Sequence, residues 1–276
     1  MGLIVVLITL LFGLIEGITE WLPVSSTGHM ILVEEFIKLS KYSIFEEEFV
    51  EVFLVVIQLG AILAVALSFF KKLFPFDLKA KKKVDLDKFN LWGKIIVASL
   101  PAALIGIPFE DKIDEMFFNF QTVAVTLIVY GILFIVIENW NKGKTPKYGE
   151  LKDITYLTAL LIGVFQLMSL IPGTSRSGAT IVGALLLGVS RLAATEFTFF
   201  LAIPAMAGAS LIKLVKHGFG FSIDQYMILI LGMLSAFVVS IIVIKFLVSY
   251  IKKHDFKVFG YYRIILGVVL IAYMLL

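Results

Sequence analysis

Two stretches of the chain carry acids, hydroxyls, a histidine and an arginine inside otherwise apolar runs. One is Glu16-Gly-Ile-Thr-Glu20-Trp-Leu-Pro-Val-Ser-Ser26-Thr-Gly-His29; the other is Pro172-Gly-Thr-Ser175-Arg176-Ser177-Gly178-Ala-Thr180. Each interrupts its run at a proline, roughly ten to fifteen residues after the run begins, which is mid-depth in a bilayer rather than its edge. Ionisable groups at that depth are costly and mark function by default.

Glu16 and Glu20 stand four apart, so a helix places both carboxylates on one face. In low dielectric they repel, and they must share a proton, bind a cation or face water. Mg2+ favours one or two carboxylates completed by phosphate oxygens, so a metal bridged to phosphate satisfies both. Proton or sodium ligation in a transporter, or purely structural pairing, also accounts for them. Ser25, Ser26 and Thr27 follow Pro23, and Gly28 allows close backbone approach. That pattern is a helix N-terminus offering N–H groups and hydroxyls to an anion. His29 falls one turn after Ser26 on the same face, a candidate general base or nucleophile.

In the second stretch Gly173 and Gly178 permit tight turning, and Ser175, Ser177 and Thr180 bring hydroxyls to another helix start. Arg176 adds a planar fork suited to bidentate phosphate contact. It is one of 3 arginines against 21 lysines, and is read as the only arginine at a tip. Without an anion, it would have to pair with Glu16 or Glu20. The set suits phosphoryl transfer or phosphate-ester hydrolysis inside a membrane, where positioning and charge stabilisation supply most of the catalysis. A substrate reached at that depth should itself carry a lipid tail.

The elements that must hold these groups follow from composition. The 276 residues are 60% hydrophobic and 16% charged, with a mean hydropathy of +1.00. Soluble domains are about 45–50% apolar and about 25% charged, so this is a polytopic membrane protein. Residues 1–276 form one domain, because no hydrophilic stretch could hold a second. There are no cysteines, hence no disulfide or thiolate metal site. The net charge of +3 is too small to suggest nucleic acid. The N-terminus lacks a basic n-region and a clear cleavage site, and reads as the first structural segment. Val6 stands where myristoylation of Gly2 would need Ser or Thr.

Six segments are long enough to span a bilayer as helices: about 49–70, 92–109, 119–138, 195–215, 226–249 and 258–276. Regions of about 3–40 and 154–190 instead read as two short arms around Pro23 or Pro172. Each is either a Pro-kinked helix or a re-entrant hairpin, whose tip must be buried in protein or line a wet cavity. Gly13-Leu-Ile-Glu16 resembles Gly163-Val-Phe-Gln166, and Pro23-Val-Ser-Ser26 resembles Pro172-Gly-Thr-Ser175. The predicted fold is an all-α integral membrane protein of six transmembrane helices plus two re-entrant helical hairpins. Its halves, about 1–140 and about 150–276, carry three spans each, so the second copy is inverted. If Lys71–Lys94, with eight lysines, is cytoplasmic, so are 139–153 and 250–257. The lysine bias is then fifteen against five, and both termini lie outside. The acidic loop Glu110-Asp111 falls on the outer side, and the hairpin tips enter from opposite faces to meet midway. His217 and His254 read as solvated loop residues.

On these residues the chain closely resembles the undecaprenyl-diphosphate phosphatase family of the bacitracin-resistance type. The matching stretches are Glu16 to Met30, Val56-Ile-Gln-Leu-Gly-Ala-Ile-Leu-Ala-Val, Pro172 to Ile181, and Phe197-Thr-Phe-Phe-Leu-Ala-Ile-Pro. The resemblance implies hydrolysis of undecaprenyl diphosphate to undecaprenyl phosphate and inorganic phosphate. That reaction recycles the carrier lipid for peptidoglycan and confers bacitracin resistance. It further implies a bacterial plasma-membrane enzyme dependent on Mg2+ or Ca2+, with its site open to the outer side. Glu16 and Glu20 would hold the metal or assist proton transfer, and Ser26 and His29 would be the candidates for nucleophile and base, with Ser26, His29 and water all left open as the group that attacks phosphorus. Arg176 would grip the diphosphate with Ser175, Ser177 and Thr180, with Ser25, Thr27, Gly173 and Thr174 as further substrate-binding candidates. The family commonly has an acid where Leu54 stands, with Glu51 one turn earlier. Expected partners are a polyprenyl diphosphate lipid and the membrane, no nucleic acid, and as an option a second copy in a homodimer. The rival reading is a secondary transporter or flippase for the phosphorylated carrier lipid, since inverted repeats are transporter architecture.

Overall fold

The structure, a computed structural model, describes residues 2–76, 84–117, 119–218 and 220–275, except the side chains of residues 107, 110, 111 and 114. The described residues form helices and turns with no strand. In chain order these are α1 (Leu3–Thr19), α2 (Ser26–Ile37), α3 (Glu47–Ser68), the short α4 (Phe70–Leu73), α5 (Leu86–Phe117), α6 (Phe120–Trp140), α7 (Tyr156–Gln166), α8 (Arg176–Leu186), α9 (Arg191–His217), α10 (Ile223–Ile251) and α11 (Lys257–Met274). Six stretches among the described residues are long and apolar enough to cross a bilayer: α3, Leu86–Gly106 of α5, α6, α9, α10 and α11. All six coincide with predicted spans. At about 1.5 Å per residue, α2, α7 and α8 reach at most ~18 Å and cannot cross ~30 Å of hydrocarbon.

The ends of α5 differ from those expected. Composition puts a lysine-rich loop up to Lys94 and an acidic loop at 110–111, whereas the helix runs from Leu86 to Phe117. Asp85 starts it early: its carboxylate accepts the N–H groups of Asp87 and Lys88 at 3.2 and 3.3 Å, the usual service of an N-terminal cap. Pro101 and Pro108 lie inside this helix without ending it. Lys88 and Lys94 are therefore helical, and Lys94 is buried with its Nζ donating to the Lys152 carbonyl at 3.1 Å. Lys79 and Lys81–Lys83 lie outside the described residues.

Each short first arm packs on a long helix from the other half of the chain: α1 on α10, α7 on α5. Small residues bring these backbones together, the usual currency of helix packing in lipid. A Cβ on Gly13 would sit 2.5 Å from the Gly232 carbonyl, and one on Gly17 2.8 Å from the Ala236 carbonyl. On the other side Gly163 rests directly on the Ala98 backbone. Helices α6 and α11 close the pattern through Gly131 and Gly260, where a Cβ on either would lie 2.7 Å from the other's carbonyl.

The connections sort to two ends of the bundle. Lys72 pairs with Glu196 at 2.7 Å, Lys94 reaches Lys152, and Tyr148 N–H reaches the Gly188 carbonyl at 3.1 Å. Glu138 accepts from Arg191 and, at 3.0 Å, from the Phe256 N–H. These contacts gather the lysine-bearing connections at one end. Segments 38–46 and 220–225 lie at the other, where Gln225 reaches the Ile44 carbonyl and Val5, Ile37, Phe45 and Phe221 share an apolar cluster.

Candidate active site

At the first break α1 ends in Thr19, and Glu20 makes the last helical bond, its N–H to the Glu16 carbonyl at 3.0 Å. A proline disfavours helix in the residue before it, so the chain turns through Trp21–Val24. It resumes at Ser26 behind Ser25, whose backbone sits at φ 76° and whose hydroxyl accepts the Gly28 N–H at 3.2 Å. The second break repeats this detail. Ser175 has φ 71°, and its hydroxyl accepts the Gly178 N–H at 3.2 Å. A side chain in the left-handed region costs of order 1–3 kcal/mol and persists only where the surroundings impose it.

These twin caps correct the internal alignment. Ser25 corresponds to Ser175 and Gly28 to Gly178, a spacing of 150 that also pairs Glu16 with Gln166 and Gly13 with Gly163. The predicted pairing of Pro23 with Pro172 is one residue out of register. Gly173 stands opposite Pro23 instead, at φ +85°, where a Cβ would strike the Thr126 hydroxyl and the Val123 backbone.

The breaks touch each other. Arg176 Nη2 donates to Glu20 Oε1 at 2.8 Å, and Ser26 Oγ donates to Glu20 Oε2 at 2.7 Å. Arg176 Nη1 is held by the Thr198 carbonyl of α9 at 2.8 Å. Its guanidinium lies 6.0 Å from the centre of the Trp21 ring, while its Nε is buried without a partner. Glu16 is buried, and its Oε1 also has no hydrogen-bond partner. The expected group therefore assembles around Glu20, Ser26, Arg176 and Ser177, whose hydroxyl approaches the Glu20 carbonyl at 3.4 Å.

Several predicted residues hold other positions. His29 Nδ1 bonds the Ser25 carbonyl at 2.7 Å, and its Nε2 bonds the Tyr262 hydroxyl of α11 at 2.6 Å, with the two rings parallel. A carbonyl only accepts, so Nδ1 carries a proton, and in the neutral ring Nε2 accepts from tyrosine. Thr180 is a strut rather than a free hydroxyl, donating to the Arg176 carbonyl and joining Thr198 Oγ1 at 2.9 Å. The Ser25 and Ser175 hydroxyls serve as caps, with Ser175 also 3.0 Å from Ser177 Oγ. Thr27 faces outward. Thr174 gives its carbonyl to Arg263. His217 is not a solvated loop residue: it ends α9, with Nε2 3.5 Å from Glu51 and a side chain only 15% exposed. His254 does lie exposed beyond α10, against Tyr250. Leu54 packs in the apolar cluster of α1 and α3, and Glu51 pairs outward with Lys213.

Arg176 is also not the only arginine at the breaks. Arg263, fully buried on α11, donates from Nη1 to the Pro23 carbonyl at 3.2 Å. From Nη2 it donates to the Gly173 and Thr174 carbonyls at 2.8 and 2.9 Å. Thr126 of α6 adds a bond to the Pro172 carbonyl at 2.8 Å. Arg263 carries its own signal in the sequence, a lone arginine within the last apolar span, and the cost of a buried charge that singles out Arg176 applies to it equally.

Among known proteins, the family model described as bacitracin resistance protein BacA matches residues 9–269. An undecaprenyl-diphosphatase 1 of Clostridium acetobutylicum is 60% identical over 272 residues, 98% of each chain. An undecaprenyl-diphosphatase of Acetivibrio thermocellus is 59% identical over 263 residues, 95% of each chain. That of Lachnoclostridium phytofermentans is 58% identical over 276 residues, 100% of this chain and 99% of its own.

Proposed function

The chain belongs to the BacA family, and from that membership and the joined breaks we infer a membrane hydrolase that converts undecaprenyl diphosphate to undecaprenyl phosphate and inorganic phosphate. The observation that carries the site assignment is the chain of bonds Ser26–Glu20–Arg176, which crosses from one break to the other. It has the form of a nucleophile, a base and a group that orients the base.

In the mechanism we assign, Ser26 Oγ attacks the terminal phosphorus and its proton passes to Glu20 Oε2. The bond from that phosphorus to the bridging oxygen breaks, and undecaprenyl phosphate leaves. Water then hydrolyses the phosphoserine, releasing inorganic phosphate and restoring Ser26. Arg176 steadies charge on the transferring phosphoryl oxygens, for which its unpartnered Nε is an available donor. His29, whose Nε2 holds the Tyr262 hydroxyl at 2.6 Å, is the candidate base for the water through that hydroxyl, which takes the water's proton as it passes its own to Nε2. The N-terminal turns of α2 and α8 add unpaired N–H groups beside the anion.

A divalent cation fits these residues. The unpartnered Glu16 Oε1 is a hard oxygen donor of the kind Mg2+ and Ca2+ take. No cluster of three or more His, Cys, Asp or Glu occurs among the described residues, so Glu16 and Glu20 would hold the ion with phosphate oxygens and water. When bound, such an ion neutralises diphosphate charge.

Val5 and Ile37, at the outer ends of the first pair of arms, share one apolar cluster, while in the second pair Leu185 takes a bond from Asn141, and Lys152, just before α7, takes one from Lys94. This supports two re-entrant hairpins related by an inverted repeat. The lysine bias supports a bacterial inner-membrane orientation with both termini outside and the site open to that side.

The test is phosphate release from undecaprenyl diphosphate by the purified protein in detergent, with acid trapping of a 32P-labelled intermediate. The assignment expects label on Ser26 and none in Ser26→Ala. A Ser26→Ala protein that turns over at the wild-type rate would show that Ser26 is not the nucleophile.

A further inference from the structure

We propose that Arg263 is a second cationic determinant of headgroup affinity: a positioning residue that clasps both breaks and holds an uncancelled positive charge beside the diphosphate. The inference rests on the hydrolase reading and adds a residue to it.

Arg263 is fully buried within an apolar helix, where an unpaired charge is expensive. The other two arginines have carboxylates: Arg176 has Glu20, and Arg191 has Glu138. Arg263 has no carboxylate partner among the described residues. Its donors go to three carbonyls, those of Pro23, Gly173 and Thr174, and its Nε has no partner. Tyr130 lies under the guanidinium at 5.5 Å from the ring centre, which softens the charge without cancelling it. Gly178 makes the room, since a Cβ there would approach Nη1 to 3.0 Å.

Three neutral dipoles satisfy hydrogen bonds but leave the net charge in place. The lasting compensation must come from an anion at the same junction, and the anion brought there is the diphosphate. Arg176 alone would not balance the diphosphate, because its own charge is already matched by Glu20. With an effective dielectric of ~20 and a separation of ~8 Å, one such charge changes affinity on the order of 30-fold. The same side chain joins the carbonyls that each break leaves without helical partners, so geometry and charge reside in one residue.

The experiment separates the two. Arg263→Gln keeps amide donors and loses the charge; Arg263→Lys keeps the charge and loses the fork. The full-length protein in detergent is titrated with a prenyl methylenediphosphonate, which cannot be hydrolysed at the bridge, and with the corresponding uncharged prenol. Charge action predicts a loss of about 30-fold or more in diphosphonate affinity for Arg263→Gln and under about 5-fold for Arg263→Lys, with prenol affinity unchanged in both. Equal losses in the two variants, or parallel losses of diphosphonate and prenol, would reduce Arg263 to a structural clasp and overturn the proposal. If Arg263→Gln does not fold, Arg263→Lys decides alone: retained preference for diphosphonate over prenol supports it, and loss of that preference overturns it. A wild-type protein that binds both compounds alike would instead sink the hydrolase reading, and this one with it.

Discussion

Removing one partner of the Glu20–Arg176 pair should cost at least as much stability as removing both. The pair is formed at 2.8 Å between side chains that are only 9% and 12% exposed. Arg176→Met leaves the Glu20 carboxylate with the Ser26 hydroxyl alone, and Glu20→Gln leaves a buried cation without its anion. Stranding either charge costs about 3–5 kcal/mol. Independent effects would therefore add to roughly 6–10 kcal/mol in the double variant. With the pair removed together there is no stranded charge, and the double variant should lose no more than either single change. Part of that loss is the Thr198 carbonyl, which gives up its Arg176 donor at a cost of about 1–3 kcal/mol. The coupling is then about 3 kcal/mol or more, read from unfolding of the four proteins in one detergent. Turnover follows a different rule, because Glu20 takes the Ser26 proton and Arg176 steadies the phosphoryl charge: each single change and the double should lower kcat/KM by at least about 100-fold. Stability losses that simply add, with coupling under about 0.5 kcal/mol, would refute the contact between the breaks.

Three other perturbations have defined outcomes. Gly173→Ala meets an unfavourable φ of +85° and the Val123 backbone, so its unfolding midpoint should fall by the equivalent of at least about 3 kcal/mol; unchanged stability would contradict the placement of the second break. Chelation by EDTA should abolish phosphate release by the wild type and Mg2+ should restore it, while Glu16→Gln should fold normally yet lose its Mg2+ response. A Glu16→Gln protein with the wild-type metal titration would remove Glu16 from the ion site. Tyr262→Phe deletes the hydroxyl on His29 Nε2 while keeping the ring, and should lower kcat about tenfold or more with little change in KM; 15N spectra of the imidazoles should show one altered histidine, and unaltered spectra would dissociate the two side chains.

How far the sequence can be read follows from which forces act locally. Apolar length sets a bilayer span, so the six spans are legible, and a proline amid hydroxyls and acids marks a break wherever it falls. The bounds of α5 are not legible, because Pro101 and Pro108 are tolerated inside it while Lys88 and Lys94 look like loop residues on composition alone. The likeness between the two breaks runs one residue out of the register that the paired prolines suggest. It is set by the positive φ of Ser25 and Ser175, which nothing about serine announces. Charge balance pairs Arg176 with Glu16 or Glu20, and only the packing selects Glu20. Its second hold, the Thr198 carbonyl, is a backbone group that no residue type reveals. Arg263 is the instructive omission: spacing along α11 cannot say that this helix passes both breaks, yet an arginine in an apolar span always requires a partner. Helical spacing puts His29 on the Ser26 face, and tertiary packing turns its ring toward Tyr262 instead.

A structure of the protein bound to a prenyl methylenediphosphonate tests most directly whether the two breaks make one headgroup site. The terminal phosphonate should lie within hydrogen-bond distance of both Ser26 Oγ and the Arg176 guanidinium. A headgroup held by one break alone, or lodged among the lysines around Lys72 and Lys94, would contradict the account.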